Sequence, residues 1–342
     1  MTTIRYPWET PPENGEMIEI AEGVHWLRLP LPMKLDHVNI YVLDDGDGWT
    51  LIDTGMKSRR VRAMWQAVLD GPLRGKPVKR VVATHHHPDH IGFHGWFVEE
   101  FGAEYVSTQV AYLMGRMLTM DIQERYTEGQ IEFYRRAGMR ADLLAARQDE
   151  RPFNFSDIVH PIPIGFTRIE EGDVIEMGGR SWDVRVDHGH APDHATFWSR
   201  DDNLVLCGDQ VIASISSNIG VYPTEPDANP LADWLDSCAR LQNFSRADHL
   251  ALPGHKLPFV GMPLRLRQLE ENHHGALTRL RADLKTPKTA GEVMMAVFKR
   301  QIGDGEYGLG LVEALAHCNY LWHAGEVTRS LHQDGAYRWV MN

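Results

Sequence analysis

The 342-residue chain is 43% apolar with a formal net charge of −12, which suits one large core with a smaller companion and argues against general attraction to phosphate backbones. Cys207, Cys238 and Cys318 lie too far apart in sequence for a Cys-x-x-Cys zinc knuckle or a disulfide framework, a usage that fits the reducing cytoplasm. No apolar run approaches about 18 residues, and the start, with Pro7, Pro11 and Pro12, lacks a signal-peptide core, so neither secretion nor membrane spanning is expected.

From Gly23 onward, short β-rich runs alternate with turn residues. Val24 to Leu29, Asn39 to Leu43 and Trp49 to Asp53 read as strands, with Asp44 to Gly48 as a hairpin turn between the last two. Ser58 to Leu69 then carries Val61, Met64, Trp65 and Val68 at helical spacing, and Val78 to Thr84 reads as a buried strand. Gln109 to Arg147 is proline-free and rich in Met, Arg and Glu, with helical spacing at Tyr112, Leu113, Met117 and Met120. It predicts two or three helices inserted over the sheet at about 109–150.

Strands resume at Val174 to Met177, Trp182 to Val186, Ala195 to Trp198 and Leu204 to Cys207. Helix Pro230 to Leu241 and strand Leu250 to Leu252 close this second β-rich half at Pro253-Gly254-His255. Beyond Gly261 the pattern is helical. Thr289 and Glu292 match a capping box, Gly325 should end a helix from about Leu311 to Ala324, and Val327 to Trp339 reads as a hairpin around Asp334-Gly335. The expected division is 1–261 catalytic and 262–342 helical with a hairpin, similar to a winged helix.

The buried strand runs straight into Thr84-His85-His86-His87-Pro88-Asp89-His90. His85-x-His87-x-Asp89-His90 places imidazoles at alternate positions with a carboxylate two further on, and Pro88 stiffens the turn, so one turn can serve two metals. Neutral imidazole with carboxylate suits zinc, iron or manganese. Further candidates follow in Gly189-His190-Ala191-Pro192-Asp193-His194, Gly208-Asp209 and Pro253-Gly254-His255, each at the carboxyl end of a predicted strand, where loops converge.

The order and type of these motifs resemble the metallo-β-lactamase superfamily over roughly residues 20 to 260. The resemblance implies an α+β fold, the αββα sandwich of two sheets between helices. It also implies that His85, His87 and His190 hold a first metal, that Asp89, His90 and His255 hold a second, and that Asp209 bridges them. Asp53 resembles a carboxylate that orients a ligand histidine. His194 is expected to support the ligands, and His86, His94 and His188 to be structural or rim residues.

Such a centre, two divalent ions about 3.5 Å apart with zinc expected ahead of iron or manganese, implies a metal-bridging hydroxide that attacks an ester or thioester carbonyl, with Asp89 or Asp209 as catalytic proton carriers. Asp209 argues against β-lactam hydrolysis, and the lack of a tyrosine just after it argues against a lactonase. Asp193 in the Gly-His-x-Pro-Asp-His form is similar to the branch with a winged-helix C-terminus. That branch also supplies the rival reading of an endoribonuclease or phosphodiesterase. Residues 262–342 carry 10 Lys+Arg against 9 Asp+Glu, a balance of +1 with no basic stripe, so nucleic acid is disfavoured.

The expectation is a cytoplasmic hydrolase of a small or acyl-carrier-sized ester or thioester, with no membrane partner and with a homodimer left open. The insertion is expected to cap the site with Met114, Met117, Met120, Tyr126, Phe133 and Tyr134, either as an adaptable apolar wall or as ordinary core.

Overall fold

A meander opens the chain because β-branched and aromatic residues alternate between Gly- and Asp-rich turns. The computed structural model describes residues 3–342. Met17–Ala21, Val24–Pro30, His37–Asp44 and Trp49–Ile52 pair antiparallel. Val78–Val82, Glu104–Ser107 and the short Thr167–Arg168 then add in parallel to make a seven-stranded sheet. The parallel step requires a crossover, supplied by the helix Arg59–Asp70. Ser58 caps that helix, its hydroxyl accepting the Val61 N–H at 3.1 Å.

The second sheet takes Val174–Met177, Arg180–Asp187, His194–Ser199 and Leu204–Gly208 antiparallel. Leu250–Pro253 joins parallel across the helix Pro230–Gln242, and Phe259–Val260 forms the edge. Trp26, Tyr41, Ile52 and Val82 of the first sheet meet Trp182, Val184, Phe197 and Leu206 of the second in a dry seam. Trp26 and Trp182 are fully buried; an aromatic removing about 150–250 Å² from water stabilises by roughly 4–6 kcal/mol as an upper bound.

The outer faces are covered by helices. Val61, Trp65, Trp96 and Phe97 pack on the first sheet. Trp234, Leu241, Leu266, Leu277 and Leu315 pack on the second. The result is the expected αββα order, and it sends the carboxyl ends of Val78–Val82, Leu204–Gly208 and Leu250–Pro253 to one rim.

Three helices fill the insertion, Gln109–Met120, Glu128–Arg136 and Ala141–Asp149. The expected apolar wall divides. Phe133 enters the core shared with the C-terminal helices, Tyr126 and Tyr134 lie against the Arg147 guanidinium, and Met117 and Met120 stay exposed. Helix Met262–Asp283, the one-turn helix Met294–Phe298, helix Asp304–His323 and the hairpin Val327–Leu331 with Tyr337–Met341 follow. The last long helix begins seven residues earlier than its spacing suggested. Its first turn is glycine-rich, which hides it from a propensity reading.

Candidate metal centre

Strand Val78–Val82 delivers the histidine turn to the rim, and Asp53 fixes how it leaves. Asp53 has a left-handed backbone, φ 62°. Its Oδ1 accepts the Thr84 N–H at 2.9 Å, and its Oδ2 accepts the Thr84 hydroxyl at 2.8 Å. The same Oδ2 lies 2.7 Å from His90 Nδ1, which leaves Nε2 as the free face of that ring. Two more rings are aimed by main-chain carbonyls: His255 Nδ1 donates to His37 O at 2.7 Å, and His190 Nδ1 to Asn218 O at 2.9 Å. In each case an outer partner sets which nitrogen points inward.

Those inward atoms converge. His85, His87 and His190 form one group with ligand atoms within 4.8 Å of one another, as do His85, His90 and Asp209, and likewise Asp89, His90 and His255. All seven residues expected from the sequence meet here. Asp209 lies between the groups, with Oδ1 3.5 Å from His90 Nε2 and Oδ2 3.6 Å from His190 Nε2 and 3.1 Å from His255 Nε2. Asp89 Oδ2 is 3.3 Å from His255 Nε2, and its side chain is 17% exposed.

The donor set fits a divalent metal on independent grounds. His90 Nε2, His190 Nε2 and Asp209 Oδ1 are buried without hydrogen-bond partners; one such atom costs about 1–3 kcal/mol, and three aimed at one space are what a cation would satisfy. Gly254 keeps that space open, since a Cβ there would lie 2.3 Å from Asp209 Oδ1 and 2.7 Å from His90 Cε1.

Electrostatics divides the centre. Burial pushes His85 and His87 well down, helped by the neighbouring imidazoles, and His190 is lowered by burial too. At the other end burial also opposes protonation of His90 and His255, but carboxylates outweigh it. Asp209, Asp89 and Asp53 raise His90 well above its usual range, and Asp209 and Asp89 raise His255 to about 10. Asp209 is held well below the usual carboxylate range: burial would raise it, but His255 and His90 prevail.

His194 is a support, as expected: its Nε2 accepts the Asp209 N–H at 3.0 Å, and its ring stacks on His85 with centroids 4.7 Å apart. His94 bonds Thr54 Oγ1 at 2.8 Å, His86 stacks on Phe155, and His188 is exposed beside Asp193. None of these three joins a metal-competent group. Sequence reasoning missed His37, Asn218 and Glu313. Asn218 Nδ2 donates to Glu313 Oε2 at 2.7 Å, so the segment that holds His190 is itself held by the helix Asp304–His323. Arg265 Nε and Nη2 donate to the carbonyls of Ile212 and Ile215 at 2.6 and 2.7 Å, clamping the same segment from helix Met262–Asp283.

Comparison with known proteins agrees with this geometry. The metallo-beta-lactamase superfamily model matches residues 33–255, and a metallo-beta-lactamase-like C-terminal domain model matches residues 277–342. The chain belongs to the metallo-β-lactamase superfamily and is a metal-dependent hydrolase. A beta-lactamase domain protein from Burkholderia ambifaria is 34% identical, with a TM-score of 0.91 over 99% of this chain and 98% of that one. A metallo-beta-lactamase family protein from Thermus thermophilus, TTHA1429, is 28% identical, with a TM-score of 0.79 over 95% of this chain and 100% of that one. The probable metallo-hydrolase YqjP of Bacillus subtilis is 26% identical over 307 residues, covering 88% of this chain and 92% of its own.

Proposed function

We propose that this chain is a dinuclear hydrolase of an ester or thioester, on a small molecule or an acyl carrier. The observation that carries the reading is the placement of Asp209, whose carboxylate lies within 3.6 Å of His190 in one group and within 3.5 and 3.1 Å of His90 and His255 in the other. His85, His87 and His190 would hold one ion, Asp89, His90 and His255 the second, with Asp209 between them. Imidazole and carboxylate suit zinc, iron or manganese, and zinc is the first of these to test.

Bound divalent ions supply Lewis acidity and lower the pKa of water from 15.7 towards about 7. The chain's own residues do the rest. Asp209 is fixed by its N–H on His194 and by the Ser217 hydroxyl donating to its carbonyl. Asp89, partly exposed, can hold a proton at Oδ2 and pass it to a leaving group. His87 is half-buried, and the buried His85, His90 and His255 rings exclude bulk water. No helix among the described residues is long and apolar enough to cross a membrane. The three cysteines are free and buried, a state that suits a reducing compartment such as the cytoplasm.

The test is a panel of thioesters, carboxylic esters, lactones, phosphodiesters and RNA, run with metal analysis on the same preparation. Turnover of esters or thioesters at two ions per chain is the expected result. Turnover of phosphodiesters or RNA alone, or one ion at full activity, would overturn it.

A further inference from the structure

Beside the centre, on the side of His255, lies a cavity of about 370 Å³ that the hydrolytic reading does not use. Tyr6, Pro11 and Leu257 give it apolar walls, while Arg28, Lys256 and Ser214 bring polar groups and His37 forms part of the boundary. Two cations line the space and no carboxylate does. Arg28 Nη2 lies 2.9 Å from His37 Nδ1 and 3.4 Å from Asp36 Oδ1, and its Nε is buried with no partner. Asp36 is 68% exposed and turned towards solvent, its nearest contact being His37 Nδ1 at 2.6 Å. The Lys256 ammonium has no hydrogen-bond or ion-pair partner among the described residues.

The backbone places that lysine with some effort. Lys256 sits in the left-handed region, φ 67°, which side-chain-bearing residues avoid unless their surroundings hold them there. Its N–H donates to His37 Nε2 at 2.9 Å, and its carbonyl accepts Asn39 Nδ2–H at 2.8 Å. His37 O in turn aims His255. One short stretch therefore both orients a candidate metal ligand and sets an unpaired ammonium in the adjoining cavity wall.

We propose that this cavity binds an organic anion, a carboxylate or phosphate monoester on a short apolar body, with its acid group between Arg28 and Lys256. The volume falls within the roughly 300–1,000 Å³ of small-ligand pockets and near its lower end. The walls combine apolar surface with a few converging polar groups, the usual composition of such sites. As a statement about substrate class this rests on the hydrolase reading, the bound anion being the end of the substrate remote from the scissile bond. As a statement about binding it stands alone.

Calorimetric titration of the metal-loaded protein with octanoate, octyl phosphate and octanol tests it. One or both anions should bind, at least tenfold more tightly than octanol. Lys256→Met and Arg28→Gln should each weaken the anion by roughly tenfold or more, the loss expected for one charge-assisted contact, with metal content unchanged. Preference for octanoate identifies a carboxylate, and preference for octyl phosphate a phosphate ester. Anions also have affinity for bound metal ions, so octanoate binding that persists undiminished in both variants would place it on the ions and overturn the proposal, as would octanol binding equally well. Lysine-dependent octanoate binding in a protein that turns over no ester would keep the cavity assignment and remove the hydrolase reading instead.

Discussion

His85, His87 and His190 meet at one end of the centre with Asp209 as their nearest carboxylate, whereas His90 and His255 at the other end lie among Asp53, Asp89 and Asp209. The first end is kept neutral by burial and the second is drawn towards protonation by acids. Their supports differ as well. His90 and His255 hang from the first sheet through Asp53 and the His37 carbonyl, while His190 hangs from a segment clamped by C-terminal helices. A site that resembles a symmetric pair is thus two environments built by different parts of the chain, and substitutions should be able to separate them.

Asp209→Ala should do the most damage, because it removes the one group common to both ends. Outer partners of metal ligands typically cost 10–100-fold, so loss of the shared carboxylate should exceed a hundredfold in activity and lower metal content at both ends. Full activity with two ions would refute the bridging role. Gly254→Ala should come close behind, since its Cβ would have to occupy the space 2.3 Å from Asp209 Oδ1; metal analysis should find it depleted while the fold survives.

Asp53→Asn and His255→Ala sharpen the division. Both act at the acidic end, so the second ion should leave first, with occupancy of the His85, His87 and His190 end retained. For Asp53→Asn the loss should be about 10–100-fold in affinity for that ion. Equal loss from both ends in either variant would show that the two environments are not separable.

How much of this was legible in the sequence follows from how each group acts. The turn from His85 to His90 and the separated His190, Asp209 and His255 could be read because each follows a strand-like run and carries its chemistry in its own side chain. Asp53 was legible for the same reason. His37 and Asn218 were not, because they act through main-chain carbonyls, which any residue supplies. Glu313 is 95 positions from Asn218 in sequence and looks like an ordinary helix-surface glutamate until the helix is docked. Strands Met17–Ala21, Glu104–Ser107 and Thr167–Arg168 were also missed. They are short, and pairing with neighbours, rather than periodicity, makes them strands.

Glu313→Gln gives the smallest expected effect and tests the neutral end. The Glu313 carboxyl accepts Asn218 Nδ2–H and the Ile219 N–H, and burial nevertheless raises it to about 7. Its folded-state pKa is therefore above its unfolded value of about 4.3. A group shifted that way contributes stability that is fully present below the unfolded pKa and is lost as pH rises through the folded one. Glutamine retains an oxygen for both donors and does not ionise. The melting temperature of the Gln variant, relative to the parent, should therefore climb as pH is raised from 5 to 8. A difference that stays flat over that window would show that Glu313 titrates as an ordinary surface acid. Glu313→Ala, which removes the acceptor altogether, should loosen the Asn218 segment. Cobalt substitution should then show an altered visible spectrum for the ion at the His190 end, with the ion at the His255 end unchanged. Restoration of the parent spectrum by glutamine would separate the lost hydrogen bonds from a general loss of packing.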